Sequence, residues 1–184
     1  MSLTETPVCN FGEKIKKFKL ISTEDAFISL EDIKGQNGTL IMFICNHCPY
    51  VKAIIKELVD VTNKLTKFGI NSVAIMSNDA NNYPEDSFEN MKTFAKINNF
   101  KFPYLYDETQ EIAKNFGAVC TPDFFGYNKN NELQYRGRIR EMKNLKPTLE
   151  GTNDLLNAME LVAKTSIGPK QQYSSMGCNI KWKK

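Results

Sequence analysis

No stretch of this 184-residue sequence is long and apolar enough to cross a bilayer. The longest wholly apolar run, residues 40–45, falls far short of the ~20 residues a membrane span needs. Residues 1–10 have no basic start and no apolar segment, so no secretory leader is expected. Charge of one sign is not in excess: 24 Lys and Arg face 21 Asp and Glu, a net +3. Lysines are scattered along the whole chain, which excludes the one-sided basic face of a nucleic-acid binder. The basic ending Lys181-Trp182-Lys183-Lys184 reads as a solvated terminus. Cysteines number five, an odd count that argues against a secreted disulfide framework and for a reducing compartment, the cytoplasm. There is no repeat, no low-complexity block and no Pro/Gly linker. A single domain over 1–184 is expected, with 166–184 as a C-terminal tail.

The short apolar runs 18–20 and 26–30 flank residues 22–25 and predict an N-terminal hairpin. Residues 39–45, Thr-Leu-Ile-Met-Phe-Ile-Cys, are continuously apolar and short. That is the pattern of a strand covered on both faces of a parallel or mixed sheet. Val51, Ile54, Ile55, Leu58, Val59, Thr62 and Leu65 then recur at helical steps, and Gly69 closes the segment. Residues 70–76 read as a second buried strand. Pro84-Glu85-Asp86 is expected to open a helix whose apolar face is Phe88, Met91, Phe94, Ala95 and Ile97. A brief extended piece at 102–106 and a short helix at 108–116 follow. Segments 123–127 and 132–139 flank an Asn-rich turn at 128–131, and a last helix covers 152–164. Strands joined by helices imply an α/β fold, a central sheet flanked by helices.

The string Cys45-Asn46-His47-Cys48-Pro49-Tyr50 sits where a buried strand ends and a helix begins. Residues three apart in a first helical turn lie on one side, which brings two sulfurs within bonding reach. Unpaired N–H groups and the positive end of the helix dipole favour thiolate, the nucleophilic form. Asn46 reads as the N-cap, which places Pro49 at the third helical position. His47 is the one histidine; as an imidazolium beside the sulfurs it would lower the thiol pKa further, while as a solvent-facing residue it would have no such role. Two other readings stand beside a redox pair. Structural zinc needs four ligands, and no second C-x-x-C is present; inert core thiols are the remaining alternative. No metal and no cofactor is expected.

A second element, Cys120-Thr121-Pro122-Asp123, leads into an apolar strand. Proline at a strand's first residue marks a fixed turn and a candidate cis bond. Together with the C-x-x-C, the hairpin and the last helix, it resembles the thioredoxin fold, in which the cis-proline loop packs against the two sulfurs and offers backbone groups to the substrate. The resemblance extends to a thioredoxin-like redoxin group among AhpC/TSA and TlpA-like proteins. It is carried by Asn46-His47-Cys48-Pro49-Tyr50, Ser77-Asn78-Asp79-Ala80, Tyr83-Pro84-Glu85-Asp86, Phe102-Pro103-Tyr104-Leu105, Tyr135-Arg136-Gly137-Arg138 and Gly177-Cys178-Asn179-Ile180-Lys181-Trp182. The sequence departs from thioredoxins at Ile44, where they carry Trp, and at Thr39, where they carry a buried Asp. The peroxiredoxin P-x-x-x-T-x-x-C pattern is absent as well.

The resemblance implies a thioredoxin-like domain with a mixed sheet and a thiol–disulfide oxidoreductase activity. In that reading Cys45 is the more exposed attacking thiol and Cys48 the resolving one. Asn46, His47, Pro49, Thr121 and Pro122 support them and meet the substrate. The peroxiredoxin analogy reverses the roles, with Cys48 oxidised by a hydroperoxide and captured by Cys45. A non-catalytic redox-sensing module is the further alternative. The partners expected are a disulfide- or hydroperoxide-containing substrate and a thiol reductant, with no nucleic acid and no membrane. The tail is expected to fold back through Ile180 and Trp182. Cys178 is then a candidate third thiol, with a buried inert thiol as the other reading. Arg136, Arg138 and Arg140 alternate and read as one solvated strand face. Tyr83, Tyr104 and Tyr106 read as core or as pocket lining, and Asp79, Glu85 and Asp86 as helix caps.

Overall fold

A computed structural model of the protein describes residues 3–148 and 152–184. The chain runs β1 (Leu3–Glu5), β2 (Lys19–Ser22), β3 (Phe27–Ser29), α1 (Leu30–Ile33), β4 (Gly38–Phe43), α2 (Pro49–Thr66) and β5 (Ile70–Met76). It continues through α3 (Phe88–Ile97), β6 (Tyr104–Tyr106), α4 (Glu111–Phe116), β7 (Cys120–Thr121), β8 (Asp123–Asn128) and β9 (Leu133–Tyr135). It ends with β10 (Met142–Lys143), β11 (Lys146–Pro147), α5 (Asp154–Thr165) and β12 (Met176–Asn179).

A seven-stranded sheet forms the centre, in the order β3-β2-β6-β5-β4-β8-β9. Strand β4 pairs parallel with β5, and β5 with β6, while β8 runs antiparallel to β4. The sheet is therefore mixed. All six residues of β4 are buried, because both faces are covered. Leu40, Met42 and Ile44 point into one core with α2, α3 and α5. Ile41 and Phe43 point into the other, with α1, α4 and Ile180 of the tail. The expected hairpins are present at β2–β3 and β8–β9. In the second, Asn128 Oδ1 accepts the N–H groups of Asn130 (2.9 Å) and Glu132 (3.0 Å), and Asn131 takes φ 60°. These are the uses for which Asn suits a tight turn.

Three expectations are corrected. Pro84–Asp86 forms a separate 3-10 turn, and Ser87 caps α3, accepting the Asn90 N–H at 3.4 Å. A serine is the better cap, and the turn frees Asp86 to point inward. The tail folds back and contributes β12, which joins β1 and β7 in a second, three-stranded sheet. Its four residues are too few for an alternating pattern to be read. Ile180 is buried as expected, but Trp182 is 40% exposed, under the Lys114 ammonium. The arginines share no solvated face, since β9 ends before them and each meets an acid on a different element. Arg136 pairs with Asp123 (2.9 Å), Arg138 with Asp154 (2.7 Å) and Arg140 with Glu57 (3.2 Å).

Candidate active site

Strand β4 delivers Cys45 and α2 begins immediately after Cys48. The helix N-cap is Cys48 itself, and Pro49 occupies the first helical position rather than the third. Proline there loses no hydrogen bond and has the right φ. Asn46 does not cap because its groups are used elsewhere. Its amide donates to Glu85 O (3.0 Å) and its Oδ1 accepts from the Tyr104 hydroxyl (3.0 Å). Tyr104 is thus a fully buried core residue with a polar role, while Tyr83 stacks on the His47 ring at 5.7 Å.

The loop is held by a residue that local reasoning assigned to capping. Asp86, fully buried, accepts the backbone N–H groups of Asn46 (2.8 Å) and His47 (3.3 Å). Its other oxygen lies 2.6 Å from His47 Nδ1 and accepts from the Asn78 amide (2.8 Å). The imidazole is therefore directed at Asp86, which raises the His47 pKa chiefly through this hydrogen bond. The Pro84-Glu85-Asp86 string was the available signal, but sequence spacing alone does not show that the third residue points inward.

Across from this loop lies the cis peptide Thr121–Pro122. Thr121 Oγ1 is 3.3 Å from Cys45 Sγ, and the Thr121 carbonyl is 3.2 Å from Cys48 Sγ. Pro122 O accepts from the Ser175 hydroxyl (2.8 Å). Strand β12 pairs antiparallel with β7 in the register Cys178↔Thr121. Cys178 Sγ thereby comes 3.0 Å from Cys48 Sγ. The structure so brings together Cys45, Asn46, His47, Cys48, Pro49, Thr121, Pro122 and Cys178. Cys9 and Cys120 have no part in it: burial pushes the Cys9 thiol up to about 11 and raises that of Cys120 as well.

The sulfurs have unequal proton affinities. Hydrogen bonding with Cys45 above all lowers the Cys48 pKa to about 5, against the opposing effect of burial. Cys178 and the Val51 N–H in the first turn of α2 add to it. The Cys45 pKa is raised by the same hydrogen bond and by burial. Burial, with the hydrogen bond to Cys48, takes Cys178 up to about 12. As a thiol, Cys48 has two acceptors in reach, the Thr121 carbonyl and the Cys178 sulfur. Both sulfurs are buried, Cys45 at 1% and Cys48 at 0% exposed, so exposure does not single out the attacking thiol. The hydrogen bonding favours negative charge on Cys48 over Cys45.

Among the described residues, Cys45, His47 and Asp86 bring one potential metal donor each within 4.8 Å of one another. The shortest of these contacts is the His47–Asp86 hydrogen bond, so the same atoms serve an ion pair. A cavity of about 310 Å³ opens beside Pro122, lined by Tyr50, Ile54, Ile139, Met142 and Met176, with Arg138 and Arg140 at its wall.

A strand leading through two cysteines into a helix, faced by a cis X-Pro loop that enters an antiparallel hairpin, defines a thioredoxin-like redox fold. The crystal structure of the thioredoxin domain of a thiol-disulfide oxidoreductase from Bacteroides vulgatus shares it, with a TM-score of 0.58 at 14% identity, over 68% of this chain and 86% of that one. The AhpC/TSA family profile matches residues 11–142, and the chain belongs to that family. An uncharacterized conserved protein from Geobacillus kaustophilus is similar throughout, at 40% identity and TM-score 0.94, over 100% of this chain and 97% of that one. Thiol-disulfide oxidoreductase ResA from Bacillus thuringiensis subsp. konkukian is 26% identical over 140 residues, 76% of this chain and 73% of its own. The family supports oxidoreductase chemistry in general. Among the described residues no helix is long and apolar enough to cross a membrane.

Proposed function

We propose that the chain is a thiol–disulfide oxidoreductase in which Cys48 is the attacking thiolate and Cys45 its disulfide partner. The Cys48 sulfur, placed at the start of α2 and against the Thr121–Pro122 loop with a lowered pKa, carries this reading. The likeness to ResA, a thiol-disulfide oxidoreductase, points the same way. Cys48 attacks a substrate disulfide, forming a mixed disulfide and expelling one thiolate. Cys45 then attacks the Cys48 sulfur, its proton passing to a departing thiolate. The substrate leaves as one thiol and one thiolate, which takes its proton from water, and the protein holds a Cys45–Cys48 disulfide. A thiol reductant regenerates the dithiol. Thr121, Pro122, Asn46, His47 and Pro49 position these groups. The unit is taken as one thioredoxin-like domain, 1–184, with its tail 166–184. The odd cysteine count supports the cytoplasm as its compartment.

A thiol peroxidase is the second reading, favoured by one observation. Both sulfurs are buried, which admits a hydroperoxide more easily than a folded protein disulfide. Cys48 would pass to the sulfenic acid and condense with a neighbouring thiol. Stopped-flow reaction of the reduced protein with a small disulfide and with a hydroperoxide separates the two. Disulfide exchange predicts rapid reaction with the disulfide that Cys48→Ser abolishes, and slow peroxide consumption. Fast peroxide consumption lost in Cys48→Ser, with negligible disulfide reaction, establishes the peroxidase instead.

A further inference from the structure

We infer that Cys178 is a third redox thiol, which forms a second disulfide with Cys48 in alternation with Cys45. This rests on Cys48 being the reactive thiol, as proposed above, and adds a catalytic residue that the C-x-x-C does not contain. The Cys48–Cys178 sulfur separation is 3.0 Å. A disulfide is ~2.05 Å long, so closing the bond needs about 1 Å of side-chain movement.

The approach of β12 is built, not incidental. A side chain at position 177 would put its Cβ 2.0 Å from the Thr121 carbonyl oxygen and 3.1 Å from Pro122 Cδ. Only Gly177 lets the strand lie on the loop beside the sulfurs. Cys178 follows directly, paired in register with the residue that also touches Cys45 and Cys48. The segment is tied down on both sides of Cys178. Ser175 donates to Pro122 O (2.8 Å), and its backbone exchanges hydrogen bonds with Thr6. The Ile180 N–H reaches Val119 O (3.2 Å), and the Lys181 N–H reaches Asn78 Oδ1 (2.8 Å). Strand β1 closes the other edge of β12. Cys178 therefore stays at the site through the cycle, as a fixed neighbour of Cys48 and not as the tip of a loose cover.

The step balances without a further cofactor. When Cys48 carries the mixed disulfide with a substrate thiol, the Cys178 sulfur attacks the Cys48 sulfur. The substrate leaves as its thiol, taking the Cys178 proton, and a Cys48–Cys178 disulfide remains. Attack by Cys45 on Cys48 converts it to the Cys45–Cys48 disulfide and frees Cys178. Either disulfide is returned to thiols by two electrons from the thiol reductant.

The test uses the full chain, wild type and Cys45→Ser, oxidised with oxidised glutathione, alkylated, and mapped by trypsin and mass spectrometry without reduction. Cys45 and Cys48 share the tryptic peptide 35–52, and Cys178 lies in 171–181. In Cys45→Ser these two peptides are expected to be joined in most molecules, and wild type is expected to show the same joined species as a minor fraction. Cys45→Ser that stops at the Cys48–glutathione mixed disulfide, with Cys178 alkylated, overturns the inference. Should Cys45→Ser fail to fold, Cys45→Ala and the wild-type map decide: no joined peptide in any glutathione redox buffer overturns it. A wild type that forms Cys45–Cys48 but never joins 35–52 to 171–181 sinks this inference alone. A wild type with no disulfide at Cys48 sinks the underlying reading as well.

Discussion

Asp86 Oδ2 lies 2.6 Å from His47 Nδ1, and the same carboxylate takes the N–H groups at the start of the cysteine loop. The histidine thus braces the loop and also interacts electrostatically with Cys48. Asp86→Ala leaves an imidazole and two backbone donors without their acceptor. Breaking a buried pair from one side costs about 3–5 kcal/mol. Urea unfolding should show that loss for Asp86→Ala, and a smaller one for Asp86→Asn, which keeps the shape.

The same pair has a pH signature. His47 has its pKa raised by Asp86. The stabilisation is complete below the unfolded histidine value of ~6.5 and is lost as pH rises through the higher folded value. Cys48 runs the opposite way. Its folded pKa, lowered from 9.0 to about 5, gives stabilisation that is complete above the unfolded value and is lost as pH falls towards the folded one. The stability difference between reduced wild type and Cys48→Ser should therefore grow with pH across that interval. Ultraviolet thiolate absorbance should titrate near the same folded value in wild type and not in Cys48→Ser. A midpoint near the free-thiol value of ~8.5 would remove the assignment of Cys48 as the thiolate.

Behind the cis-proline loop, the Asp123 carboxylate is buried and held by Arg136 Nη2 (2.9 Å) and Nε (3.3 Å), with Arg136 also donating to Gly117 O. Arg136→Met strands a buried carboxylate and should cost about 3–5 kcal/mol. Adding Asp123→Asn should restore part of it, and a double-mutant cycle by urea denaturation measures the coupling.

Gly177→Ala tests the close approach of β12. Its Cβ would fall 2.0 Å from backbone, so the strand must shift. Overpacking of this kind costs typically 1–3 kcal/mol. The variant should lose that much in chemical denaturation and should no longer yield the joined peptides 35–52 and 171–181 on oxidation. Retained cross-linking at full yield would show that Gly177 does not set the sulfur distance.

Much of this architecture was legible locally. The apolar run ending at Cys45 and the 3.6-residue periodicity from Val51 to Leu65 carry their own structure. The Asn-rich turn at 128–131 and Pro122 at the mouth of β8 do so too. The helix start was misplaced by two residues because Asn is the stronger cap in isolation. In the fold, Asn46 is engaged by Tyr104 and Glu85, and the cap falls to Cys48. The arginines misled for a similar reason: alternation implies one face only while the strand continues, and β9 stops at Tyr135.

By itself, then, the order of residues determined a two-cysteine turn between a buried strand and an amphipathic helix, and a proline-led hairpin to face it. These follow from periodicity and turn chemistry, which act over a few residues. Which sulfur holds the negative charge, where the histidine points and what lies against Cys48 were decided in three dimensions. Asp86 stands 39 positions from His47, and Cys178 stands 130 from Cys48. Hydrogen bonds and burial act through space, so only the packed chain could bring those groups together and give each thiol its own proton affinity.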